Sequence, residues 1–165
     1  MSLSAPLAAE LQYEAASARK CLERVPDADF GWTPHEKSTP MGKLATHIAE
    51  MFGGIPAMLE SPEFNLADDH PQPKVTTNAE LVRLFDENLA KSVAALESAS
   101  DETMMQTWTL RMGDHVIFSM PRAQVVRAMF LSHIIHHRGQ LSVYLRLKNI
   151  PVPSIYGPSA DDSGM

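Results

Sequence analysis

The run from Pro121 to Lys148, PRAQVVRAMFLSHIIHHRGQLSVYLRLK, constrains the fold more than any other part of the chain. Val125, Val126, Met129, Phe130, Leu141, Tyr144, Leu145 and Leu147 recur at helical spacing, and Pro121 suits a first helical turn, where its missing N–H costs no bond. One long helix is expected. At its centre, His133 and His137 stand four residues apart, so their imidazoles leave one face about a turn apart and can grip one ion. His133 and His136, at i, i+3, meet the same condition, and spacing alone leaves both pairs open.

Two neighbouring histidines do not hold a transition metal tightly by themselves, so a further ligand is needed. His47 is the best candidate. It lies in PMGKLATHIAEMFGGIPAMLE, at the edge of an apolar stripe of Leu44, Ile48, Met51, Phe52 and Ile55. Helical bundles build metal sites from side chains that converge from facing helices.

Composition narrows the class. A chain of 165 residues with 44% hydrophobic residues suits one domain over 1–165 with a single core. The formal net charge of -6 and 14 scattered basic residues argue against a nucleic-acid partner, which needs a clustered basic face. The single cysteine, Cys21, permits no intrachain disulfide and fits a reducing cytoplasm, with a core role expected. No apolar run approaches the roughly 20 residues of a membrane span, and the N-terminal stretch lacks a basic region followed by a hydrophobic one. A soluble, unprocessed cytoplasmic protein is expected.

In chain order, Leu7, Leu11, Ala15, Ala18 and Leu22 predict a first helix over about 4–25, stopped by Pro26. A packed loop follows to Thr39, and Ser38 or Thr39 is expected to cap a second helix over about 41–59, weakened by Gly53, Gly54 and Pro56. The stretch SPEFNLADDHPQPKVTTN reads as a long connection, with His70 exposed in it. Asn78 or Thr77 caps a third helix to about Ala99 with a stripe of Leu81, Leu84, Phe85, Leu89, Val93 and Leu96. TWTLRMGDHVIFSM, centred on Met112-Gly113-Asp114 and carrying His115, predicts a short hairpin or extended loop. The tail NIPVPSIYGPSADDSGM cannot continue a helix. The fold class expected is all-α: a four-helix bundle with one long crossover and a short extended insert before the last helix.

LSHIIHHRGQLSVYLRL followed by IPVPSIYGPSADD resembles the C-terminal signature of the DinB/YfiT-like family, and FGWTPHEKSTPMGKLATHIAE is similar to that family's segment leading into its second helix. The resemblance implies an up-down-down-up bundle, often dimeric, with three histidines binding a divalent metal near one end. By that pattern the ligands fall on His47, His133 and His137. It also implies several activities: thiol transferases or isomerases using mycothiol, bacillithiol or glutathione, and hydrolases.

Three neutral imidazoles leave part of a metal's coordination sphere open. One expectation is therefore a thiol S-transferase, in which the cation holds a small-molecule cosubstrate as thiolate for attack on an electrophile. A second is a hydrolase using metal-bound water. A third is a non-catalytic, metal-stabilised bundle or stress-linked binding protein. Zinc or nickel is the expected metal, with iron, manganese or copper compatible with imidazole. Candidate catalytic residues are Glu50, a base at i+3 from His47; His136; and Gln140, placed to orient a ligand or water. Arg138 is expected to pair with Asp161 or Asp162 or to be solvated, Gly139 to allow a close helix contact or to leave space near the site, and Trp32, Trp108 and Tyr156 to act as core lids. The partners expected are a small-molecule substrate and a second copy of the chain, with no nucleic acid and no membrane.

Overall fold

The apolar steps of the first segment produce α1 (Ser4–Leu22), which buries Leu7, Leu11, Ala15, Ala18 and Leu22 in a computed structural model that describes residues 2–164. The second segment divides into α2 (Met41–Met51) and α3 (Gly54–Glu60). Neither Ser38 nor Thr39 caps α2; Pro40 occupies the cap position, without a side-chain hydrogen bond. The break after α2 is held from outside. Asn88 Nδ2 donates to the Ala49 carbonyl at 3.0 Å, and the Ser92 hydroxyl donates to the Phe52 carbonyl. A Cβ at Gly53 would lie 2.5 Å from Asn88, and one at Gly54 would lie 2.5 Å from the Phe130 ring, so glycine is what lets these neighbours approach.

α4 (Asn78–Ser98) begins with a capping box: Thr77 accepts from the Glu80 amide while the Glu80 carboxylate accepts from the Thr77 amide. A short helix, α5 (Asp101–Met105), follows, capped by Ser100.

The all-α expectation is overturned by a three-stranded mixed sheet. β2 (Thr107–Met112) and β3 (His115–Pro121) form the hairpin, antiparallel, with an irregular register between Leu110 and Arg111. Gly113 takes φ +57 at the first turn position, where glycine has no Cβ to clash. The third strand, β1 (Glu63–Asn65), comes from the supposed connection and pairs in parallel with β2, Phe64 opposite Leu110. Three residues after a proline carry no readable alternation. The strand exists because β2 offers it a partner distant in sequence, and Arg111 Nη2 fixes it on Glu63 Oε1 at 2.6 Å.

The long helix runs over 122–147 in three parts: α6 (Arg122–Val125), a π-helical turn (Val126–Leu131) and α7 (Ser132–Leu147). α1 and α2 each pack against both α4 and α7, enclosing one core. Arg138 lies in that core, 1% exposed, and pairs with Glu14 of α1 at 2.6 Å. The expected partner Asp161 instead accepts from Arg146, and Asp162 accepts from the Ser154 amide. These bonds fold the tail back against the long helix. Tyr156 Oη also donates to Glu14, at 2.9 Å, from an exposed ring, whereas Trp108 is buried and Trp32 meets Tyr144 edge-on.

Gly139 permits no close contact: a Cβ there meets nothing within 4 Å. Gly139→Ala should therefore stabilise the protein by about 0.5–1 kcal/mol, the helix-propensity difference, read as a raised urea midpoint at unchanged slope.

Candidate metal centre

His47 sits midway along α2, on the margin between the buried stripe of Leu44, Ile48 and Met51 and the surface, so its ring is half-buried and reaches toward α7. There it meets His133 and His137. Ring centroids lie 5.4 Å apart for His47–His133, 4.9 Å for His47–His137 and 4.5 Å for His133–His137. One ligand nitrogen from each residue falls within 4.8 Å of the other two, a spread that a single cation can bridge.

The hydrogen bonds around the rings favour that use. Gln140 Oε1 lies 2.7 Å from His137 Nδ1 and, having only lone pairs, takes the proton there, which leaves the Nε2 lone pair facing the centre. The backbone of Met129, one turn earlier in the π-helical segment, favours the charged form of His133. His133 Nε2 and His137 Nε2 are 2.7 Å apart. At that distance either one Nε2 donates its proton to the other or a cation takes the proton's place, and three convergent imidazole nitrogens fit a cation.

Burial pushes the His47 imidazole down to about 4, aided by the charges that His137, His133 and Lys43 present when protonated. Burial lowers His133 as well, with His137 adding to the effect and the Met129 bond opposing it. Neutral imidazole is the ligating form, so the folded chain keeps His47 ready to bind near neutrality. The same shift makes the metal-free protein acid-sensitive. The unfolded chain takes up a proton at His47 near pH 6.5 and the folded chain only near 4, so stability should be complete above pH 6.5 and fall as pH drops toward 4. Denaturant midpoints measured across that window should slope less in His47→Gln.

His47 and His137 open onto a cleft of about 850 Å³, bounded by the start of α2, by Phe30 and Gly31, and by residues 72–76 of the strap between β1 and α4. Glu50 lines the same cleft and a smaller one of about 450 Å³ beside it; burial raises its carboxyl above the usual range. It does not join the three-nitrogen cluster, and neither does Asp161 or Asp162. His136 is exposed, its ring 5.1 Å from that of His137, while Gln140 touches the site through His137. His70, expected to be exposed, is half-buried: it stacks on Phe64 at 4.2 Å and its Nε2 bonds the Asn65 carbonyl. Sequence reasoning gave no sign that the strap reaches the cleft. The contact is long-range, joining residues 72–76 to α2, and the segment's composition read only as a long connection.

Comparison with known proteins agrees with this architecture. The chain is 26% identical over 160 residues to the uncharacterized protein YrdA of Bacillus subtilis strain 168, covering 92% of this chain and 86% of that one. A DinB-like crystal structure from Bacillus subtilis (yjoa) superposes with a TM-score of 0.67 at 18% identity, over 87% of this chain and 92% of that one. Another from Bacillus cereus ATCC 10987 gives 0.67 at 22% identity, over 88% and 92%. At such identities the structures speak for the fold. The DinB family model matches residues 1–164, and the chain accordingly belongs to the DinB family.

Proposed function

We propose that the protein is a divalent-metal-dependent enzyme that transfers a low-molecular-weight thiol to an electrophile, with His47, His133 and His137 as the metal ligands. The observation that carries this reading is the convergence of three imidazoles from two helices at the wall of an open cleft, with no carboxylate in the cluster. A closed structural site surrounds its ion with four protein ligands, whereas a catalytic one keeps a position free. A zinc or nickel ion held there supplies a Lewis acid, which acidifies a thiol or a water near neutral pH.

The protein's own residues divide the remaining work. Gln140 holds the His137 ring in the tautomer that faces inward. The thiol must be brought in, because Cys21 is fully buried and its thiol is pushed up to about 11 by burial. The cleft gives a small cosubstrate and an electrophile room to meet at His47 and His137. A hydrolase is the second reading, favoured by Glu50: its half-buried carboxyl, raised by burial, lines the same cleft and suits a general base. The lone, buried Cys21 suits a reducing cytoplasm, where we place the protein, working as a homodimer. Among the described residues no helix is long and apolar enough to cross a membrane.

The test is a panel of electrophiles offered to the metal-loaded protein with and without mycothiol, bacillithiol or glutathione. Turnover should require one of the thiols. Hydrolysis of ester or amide substrates without any thiol would establish the second reading instead.

A further inference from the structure

The walls of the cleft are charged against the sign of the whole protein. The chain carries a formal net charge of -6, yet the cleft is lined by two ammonium groups, Lys43 and Lys74, and by one carboxylate, Glu50. Neither lysine forms an ion pair among the described residues, although seven other basic-acidic contacts are made elsewhere. Lys43 stands one turn before His47 on α2, and its charge is felt at the His47 ring. Lys74 comes from the wall that the strap forms.

That wall is held at both ends. At its start His70 stacks on Phe64 and bonds the Asn65 carbonyl. At its end Glu80 accepts from the amides of Thr76 and Thr77, and Asn78 Nδ2 donates to the carbonyls of Leu22 and Val25. Between these anchors Val75 presents an apolar surface to the cleft, shared with Phe30 and Leu44. The cleft thus combines an apolar lining, two unpaired cations from separate elements, and the histidine centre.

We propose that this cleft selects an anionic small molecule: an apolar body rests on Phe30, Leu44 and Val75, and a carboxylate or similar group is held between Lys43 and Lys74. The inference deepens the enzymatic reading, on which it rests for which end of the ligand reacts. Charge selection itself belongs to the lysines and survives without metal. Exposed ion pairs are individually weak, so the expected selectivity is modest and salt-dependent.

The experiment uses octanoate, octanamide and octylamine as probes, titrated into the full-length protein freed of metal by a chelator and followed by ligand-observed NMR. Octanoate should bind at least about fivefold more tightly than octanamide at low salt, and octylamine least. In K43Q/K74Q, whose substitutions are at exposed positions, that preference should fall below about twofold while octanamide binding is unchanged. Equal binding of acid and amide, a preference untouched by the double substitution, best binding of the amine, or binding of none of the three would each overturn the proposal. A parallel nickel titration separates the two readings. Nickel bound at one per chain without octanoate preference sinks the cleft proposal alone, and octanoate preference without nickel binding sinks the metal centre alone.

Discussion

His133→Ala should yield a folded protein that no longer retains a divalent cation at one per chain. His133 is half-buried at the start of α7, where alanine is a better helix former than histidine, so the helix should persist and the far-UV circular dichroism should be unchanged. What is lost is one of the three proposed ligands. Removing even an outer partner of a metal ligand weakens binding by about 10- to 100-fold, and deleting a ligand should exceed the upper figure. Calorimetric titration with nickel and with zinc, together with elemental analysis of the purified variant, measures the effect. Full metal content in the variant would refute the assignment of His133, and with it the geometric argument for the centre. Gln140→Ala provides an internal scale. It releases His137 Nδ1 while leaving all three ligands in place, so its loss should stay within about 10- to 100-fold.

The largest effect on stability is expected at the neighbouring residue. Arg138→Leu removes the cation that faces Glu14 in the core, at side-chain exposures of 2% and 7%. Glu14 would keep its bond from Tyr156 but would remain a buried carboxylate without its counter-charge. Breaking one side of such a pair costs about 3–5 kcal/mol. For a chain of this size that corresponds to a fall in melting temperature of roughly 6–20 °C. The double variant Glu14→Leu/Arg138→Leu should recover much of the loss, because two apolar groups leave no charge to desolvate. A loss below about 1 kcal/mol in the single variant would mean that the pair is hydrated and that the tail is held by other contacts.

Helical spacing is a local property, so it put His133 on one face with either His136 or His137 and placed His47 at the edge of an apolar stripe; the choice of His137 came from the family resemblance. For the same reason Thr77 marked the start of α4, with Asn78 as the alternative cap; the reciprocal bond from Glu80 came only with the structure. What escaped was non-local. Three residues at Glu63 become a strand only because β2 lies alongside them, and no window of sequence contains both. Arg138 could not be matched to Glu14, 124 residues earlier, while Asp161 and Asp162 seemed nearer candidates. The strap that brings Lys74 to the cleft belongs to the same class: its composition said loop, and its anchors at His70 and Glu80 lie in the fold.

The π-helical turn at Val126–Leu131 bears on where this sequence can lose a residue. A π turn accommodates one more residue than its α counterpart, and each residue of a regular helix advances about 100° around the axis. Deleting a single residue between 126 and 131 would let the segment rewind as ordinary α-helix, and the rewinding would offset the lost residue. Arg122, with its bonds to the Met58 and Ser61 carbonyls, would then keep nearly its present orientation relative to His133 and His137. A deletion in the regular turns of α7 has no such compensation and would swing its two sides by about 100° relative to one another. Single-residue deletions should therefore be tolerated in these six positions far better than in α7.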